Sequence, residues 1–266
     1  MRPNLIVIGA QKCGTSALHY YLRQHPDIAM SKPKELNFFI ETRTWQNGVE
    51  WYEEHWPDNA LVRGEASPNY TAHPHFPGVA EKMAEVVPDA KLIFLVRDPI
   101  SRMVSQYIHN YTKRAEHRDL AATLLDANKT YVNRSRYMFQ LDQFLPYYKP
   151  ESIMVIDSGN LRDQRMETLQ RIFRFVGVDD GFNSKKYKEE KHVTSDKERL
   201  NRLGAWALNN LSRPNYNRAR RVLPLSKPIE RPEIDDALRE QLKELLGEDV
   251  ARLREFTGEA FAGWQL

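Results

Sequence analysis

Apolar runs of strand length recur along this chain, each ending in a polar or glycine turn and followed by apolar positions at helical spacing. Leu5-Ile-Val-Ile8 stops at Gly9, and Ser16 to Gln24 then has helical spacing that closes at His25-Pro26. Lys91-Leu-Ile-Phe-Leu-Val96 is a continuous apolar run ending at Arg97-Asp98-Pro99, where a proline in the first turn opens a helix carrying Arg102, Ser105 and His109. Ser152 to Ile156 is a further buried strand. Arg63 to Tyr70 reads as a short strand ending in a turn at Pro68. Helices are expected between Pro77 and Val87, Ser135 and Tyr148, and Arg165 and Val176, and over most of Glu233 to Phe261. Asp180 to Asp196 is polar and lysine-rich, as a surface loop is. The alternation predicts an α/β fold: a single domain over residues 1–266 with a central, mostly parallel sheet flanked by helices.

The turn after the first strand, Gly9-Ala-Gln11-Lys12-Cys13-Gly14-Thr15-Ser16, is a P-loop-like phosphate-binding loop. A strand that stops at glycine frees the backbone N–H groups to turn inward, and the next helix aims its positive N-terminus at the same point. The spacing from Gly9 to Gly14 is that of G-x-x-x-x-G-K-[ST], but Thr15 stands where a nucleotide-triphosphate loop has its lysine. Lys12, inside the turn, is the only lysine of the loop. Ligands of open α/β sheets bind beyond the carboxyl ends of the strands, so Lys12, Glu65 and Arg97 are expected along one rim.

Composition narrows the picture modestly. With 266 residues, 41% hydrophobic and 28% charged, the chain is of ordinary globular type, and a formal net charge of +3 suits an anionic ligand without implying nucleic acid. Cys13 is the single cysteine, so no intrachain disulfide can form, and a reducing, cytoplasmic location is expected. No secretory leader is visible before Asn4, and no apolar run approaches the roughly 18 residues of a membrane span, so no stable membrane insertion is expected. Arg218-Ala-Arg-Arg221, four residues without a long amphipathic face, offers little to a membrane surface. No ligand set of clustered Asp, His and Cys stands out, and no metal is expected. No feature of the sequence specifies an oligomer.

Three segments together resemble the sulfotransferases that use 3′-phosphoadenosine 5′-phosphosulfate, above all the glycan (heparan sulfate)-type branch and its bacterial relatives. The segment Gly9 to Ser16 resembles the family's 5′-phosphosulfate loop; by that resemblance Lys12 contacts the phosphosulfate, while Gln11, Cys13, Gly14, Thr15 and Ser16 complete the cofactor cradle. Arg97 to Ser105 is similar to the 3′-phosphate segment, in which Arg97 and Ser105 would hold that group. Lys34-Glu35-Leu-Asn-Phe-Phe39 resembles the stretch that supplies a glutamate base in the glycan enzymes. The chain departs from the pattern at Ala66, where such enzymes often carry a lysine, and in having no cysteine pair to close a cofactor loop. Lysines between Lys185 and Lys191 could stand in for that loop.

The resemblance implies an enzyme that moves a sulfuryl group to an acceptor hydroxyl or amine by in-line attack, releasing adenosine 3′,5′-bisphosphate. Glu35 would be the base and Lys12 would stabilise charge on the bridging oxygen. Glu65 is a competing base, and His109 has suitable chemistry on a helix. A small-molecule or glycan acceptor is expected; a lipid-linked sugar or metabolite hydroxyl stays open. The alternatives are a magnesium-dependent P-loop kinase or NTPase, and a non-catalytic nucleotide-binding module.

Overall fold

A computed structural model describes all residues except 58, 113–115, 128, 191–197, 201 and 229–230. Its elements, in chain order, begin with strand β1 (Leu5–Gly9), helix α1 (Thr15–Leu22), β2 (Ile28–Met30), α2 (Gly48–Glu53), β3 (Val62–Ala66), α3 (Val79–Val86), β4 (Lys91–Val96) and α4 (Pro99–Thr112). They continue with α5 (Leu120–Leu124), α6 (Thr130–Asn133), α7 (Tyr137–Leu141), β5 (Ile153–Asp157), α8 (Ser158–Asp163) and α9 (Arg165–Val176). The last are β6 (Glu198–Leu200), α10 (Arg202–Asn210), α11 (Arg213–Val222), β7 (Ser226–Pro228) and α12 (Asp236–Thr257).

Five strands form one parallel sheet in the order β2-β3-β1-β4-β5. β1 lies in the middle and is fully buried, and β4 beside it is buried from Leu92 to Val96, which explains why both read as unbroken apolar runs. The chain builds outward from β1 to one side through β2 and β3 and to the other through β4 and β5. The topological switch therefore falls at β1, where the crevice beyond the strand ends is formed by the loops after β1 and β4. A Cβ at Gly9 would collide with the Thr71 hydroxyl, so only glycine lets β1 end against that side chain.

Most sequence expectations correspond to elements here, with two differences. The expected helix from Ser135 to Tyr148 is helical only from Tyr137 to Leu141 and continues as turns, because Pro146 lacks an N–H and biases Leu145 away from helical geometry. The segment from Asp180 is not all loose loop. Lys185–Lys188 forms a 3₁₀ turn whose Tyr187 is buried, and Tyr20 and Tyr21 of α1 donate hydroxyl bonds to the Glu189 carboxylate (2.8 Å) and carbonyl (2.7 Å). A second, two-stranded antiparallel ladder pairs β6 with β7.

Two stretches near the end of the chain brace the sheet. Asp249 of α12 accepts bonds from the Met138 and Phe139 N–H groups, capping the start of α7. Trp264 donates from Nε1 to Asp157 at 2.9 Å, and Gln265 N–H donates to Asp98 at 2.9 Å, so the C-terminal residues tie the ends of β5 and β4 together. No described helix is long and apolar enough to cross a membrane.

Candidate functional site

The loop after β1 is held on one side and open on the other. Ala10 N–H bonds Leu95 O at 2.7 Å, continuing the sheet, and Cys13 N–H closes a turn on Ala10 O at 3.2 Å. Lys12 has φ 73° and Gly14 φ 92°, so two left-handed residues bend the chain into a tight cradle. A lysine in that region is uncommon and marks a conformation that the surroundings enforce. Gly14 is the N-cap of α1, with no side-chain cap and no acidic residue in the first turn. The leading N–H groups of a helix have no intrahelical acceptor, so Gly14, Thr15 and Ser16 face an anion-attracting end.

Cys13 is the loop residue whose side chain plays no part in the cradle. Its thiol is buried, 3.6 Å from Tyr137 Oη, and burial pushes its pKa up to about 11. Its N–H is spent on the turn, so the cradle's donors are those of its neighbours. Gln11 enters through its carbonyl, which accepts from Arg102 at 3.4 Å. Arg102 was not among the sequence candidates, yet it is fully buried and also donates to Ser135 Oγ (2.5 Å) and Tyr131 O (2.7 Å). Its charge sits behind the loop with no carboxylate among these partners, adding positive potential to the crevice.

Glu35 is brought to the loop through its neighbour. Lys34 Nζ lies 3.0 Å from Glu35 Oε1 and donates to Thr15 Oγ1 at 3.2 Å, so one ammonium bridges the carboxylate and the first turn of α1. Glu35 itself is exposed. Beside it, Asn37 Nδ2 donates to Glu35 O, Asn69 Nδ2 donates to Asn37 Oδ1 (3.1 Å), and the Arg134 guanidinium donates twice to Asn69 Oδ1 (3.1 Å). Burial lowers the Arg134 pKa to about 10, with the Arg102 charge acting in the same direction and the Glu35 charge opposing it.

Glu65 has a different setting. It is sealed from solvent and receives hydroxyl bonds from Tyr52 (2.6 Å), Tyr70 (2.7 Å) and Ser67 (2.8 Å), and burial raises its pKa. A carboxyl with its oxygens so occupied cannot reach an acceptor, which removes it as the competing base; it anchors the end of β3. Ala66 is likewise fully buried.

Arg97 follows β4 directly. It makes no ion pair with the adjacent Asp98, whose Oδ1 caps α4 through Ser101 N–H (2.7 Å) and whose Oδ2 takes Gln265 N–H. Tyr137 Oη pins the Arg97 backbone from both sides, accepting from its N–H at 3.3 Å and donating to its carbonyl at 2.7 Å, which leaves the half-buried guanidinium outside this network. Ser105, on α4, is buried, and its Oγ has no hydrogen-bond partner. An orphaned buried hydroxyl on the helix that begins two residues after Arg97 is a group that an anionic ligand would satisfy. The sequence reading also missed Arg231, an exposed residue whose pKa is lowered by partial burial and by the Arg97 charge, so its guanidinium adds to the positive potential on the Arg97 side of the crevice. The only sequence signal was a basic residue within a proline-rich stretch before α12. His109 lies half-buried one helical turn beyond Ser105. Lys185, Lys186 and Lys188 are exposed in the segment clamped on α1, and Lys191 lies outside the described residues. Among the described residues no group of three or more His, Cys, Asp or Glu side chains is gathered as a metal site.

Fold and crevice thus define a parallel α/β protein with a phosphate cradle after its first strand and a second cationic group at its fourth. The chain belongs to the sulfotransferase domain family, which it matches over residues 2–253. Among its relatives, the membrane-associated sulfotransferase kil1 of Dictyostelium discoideum is 42% identical over 110 residues, covering 40% of this chain and 22% of that protein. Bifunctional heparan sulfate N-deacetylase/N-sulfotransferase 4 of Mus musculus is 28% identical over 206 residues, covering 68% and 23%. The chain therefore spans less than a quarter of the length of these curated relatives. The crystal structure of a sulfotransferase from Alicyclobacillus acidocaldarius shares the fold with a TM-score of 0.73 at 23% identity, covering 100% of both chains. Family membership does not favour the P-loop kinase alternative.

Proposed function

We propose that residues 1–266 form one catalytic domain that transfers a sulfuryl group from 3′-phosphoadenosine 5′-phosphosulfate to a hydroxyl or amine of a carbohydrate-type acceptor. The observation that carries this reading is the Lys34 bridge, which joins the exposed Glu35 carboxylate to Thr15 at the mouth of the cradle. A base must stand beside the group that is transferred, and this contact brings base and phosphate loop together.

The residues present fit the cofactor. Gly14, Thr15 and Ser16 would hold its 5′-phosphate at the start of α1, while Arg97, the orphaned Ser105 hydroxyl and Arg231 suit its 3′-phosphate. When bound, the cofactor supplies an activated sulfuryl group. Lys12 offers a positive charge within the loop, where it stabilises negative charge developing on the leaving side. Glu35 accepts the proton of the attacking hydroxyl or amine. Lys34 keeps that carboxylate oriented, and Arg134, through Asn69 and Asn37, fixes the backbone that carries it.

A heparan-like glycan is the acceptor class that the relatives' names suggest, and a small-molecule hydroxyl fits the same chemistry. The single buried thiol suits a cytoplasmic protein. The test is transfer of labelled sulfate from the cofactor to a panel of desulfated glycosaminoglycans and simple glycosides. Label should appear on an acceptor with the native chain and vanish with Glu35→Gln. Transfer that survives Glu35→Gln would overturn the assignment of the base.

A further inference from the structure

The most unusual charge distribution in the chain lies outside the crevice. From Arg199 to Pro228 the sequence holds seven basic residues and no acidic one, while the whole chain has a net charge of only +3, so the remainder is net negative. Four of these arginines, at 213, 218, 220 and 221, fall within the ten residues of α11.

The fold gathers this segment into one helical hairpin. Leu211 and Ser212 alone separate α10 from α11, and the two helices pack on each other. The unit is closed at its base by the β6–β7 ladder, with Leu200 opposite Ser226. The beginning of α10 and the end of α11 are consequently at the same end. Leu203 (47% exposed) and Trp206 (57%) lie one turn apart on α10, while Val222 (79%) and Leu223 (46%) end α11. On α10, Gly204 and Ala207 are buried, so Leu203 and Trp206 occupy the outward face. Elsewhere among the described residues, large exposed apolar side chains are only Met1, Leu61 and Tyr147, which are far apart in sequence. Arg218, one turn before Val222, is exposed as well.

Arg218-Ala-Arg-Arg221 alone offers little to a membrane, but the fold joins it to the exposed Leu203, Trp206, Val222 and Leu223, and we infer that the base of the α10–α11 hairpin is a docking surface for an anionic lipid bilayer. Charge selects the partner's sign, since a stretch of thirty residues without a carboxylate repels other basic surfaces and attracts anionic headgroups. The apolar groups select its kind. Val222, Leu223 and Leu203 offer no hydrogen bond to a glycan chain, whereas the headgroup–acyl boundary accepts aliphatic side chains and an indole. The hairpin base also packs on α4, the helix bearing Ser105, so a protein seated this way would keep its crevice beside the lipid surface. This binding does not depend on sulfuryl transfer.

The experiment is co-sedimentation of the full chain with vesicles of phosphatidylcholine alone or phosphatidylcholine with phosphatidylglycerol. Native protein should pellet with the anionic vesicles at low salt, stay in solution with the neutral ones, and be released by high salt. The double variant Trp206→Ser, Val222→Ser and the single variant Arg218→Glu should each weaken binding, the first by at least about tenfold. Unchanged thermal unfolding of each variant shows that it is folded, and the milder Trp206→Phe should keep most of the binding. Failure to pellet with either vesicle, equal pelleting of native and variant chains, or a concentration-dependent dimer lost in the double variant would each overturn the inference. Retention on heparin that ignores Trp206 and Val222, with no vesicle binding, would overturn it in favour of a polyanion.

Discussion

Lys34 reaches across from the loop after β2 to donate a hydrogen bond to Thr15 Oγ1 at 3.2 Å. The same ammonium holds Glu35, so its removal separates positioning of the carboxylate from construction of the cradle. Lys34→Met should leave affinity for adenosine 3′,5′-bisphosphate within about threefold while sulfuryl transfer falls at least about tenfold. Equal losses in both would instead make Lys34 a phosphate ligand.

The two candidate glutamates should part company in stability. Glu65→Ala strands the buried hydroxyls of Tyr52, Tyr70 and Ser67, at a cost of about 2–4 kcal/mol in urea unfolding. Glu35→Ala, at an exposed position, should stay within about 0.5 kcal/mol of the native chain. A stable Glu65→Ala variant would contradict the anchoring role drawn for that carboxyl.

The fold was legible where burial imposes a pattern, as in β1 and β4, which are covered on both faces and therefore read as continuous apolar runs. The cradle was legible because Gly9 and Gly14 stand at the spacing of a phosphate loop and Gly14 is demanded locally by its positive φ, while the Thr71 contact that also demands Gly9 comes from a distant part of the chain. What the sequence could not reveal depends on distant pairing. β2 has three residues and exists only because β3 lies beside it, and β6 and β7 define each other. Arg102 and Arg231 gain their meaning from Gln11 and Arg97, far away in the chain, and no local signal announces such neighbours. The sequence left Glu35 and Glu65 both open as the base; the three hydroxyls around the second are what distinguish them.

His19 carries a pH dependence whose sign is fixed. Burial lowers its pKa to about 4 from the usual 6.5, while its Nε2 stays 3.2 Å from Ser31 O. The unfolded chain binds the proton first on acidification, so the stability is complete above about pH 6.5 and is lost as the pH falls toward 4. The loss is on the order of 3 kcal/mol across that window. Urea unfolding at several pH values should show the native chain losing this much relative to His19→Gln; parallel curves would refute it.

Cys13 should resist thiol reagents at pH 8 in the folded protein and react readily in urea, because its thiol is buried with a pKa of about 11. Rapid labelling of the native chain would place the thiol on the open side of the loop.

The central claim, that the crevice at β1 and β4 is built for a nucleotide bearing both 5′- and 3′-phosphate charge, is tested most directly by calorimetric titration with adenosine 3′,5′-bisphosphate and with ATP, each with and without magnesium. The native chain should bind the bisphosphate without magnesium, with affinity reduced in Lys12→Ala and Arg97→Ala. Magnesium-dependent ATP binding in the absence of bisphosphate binding would contradict the account.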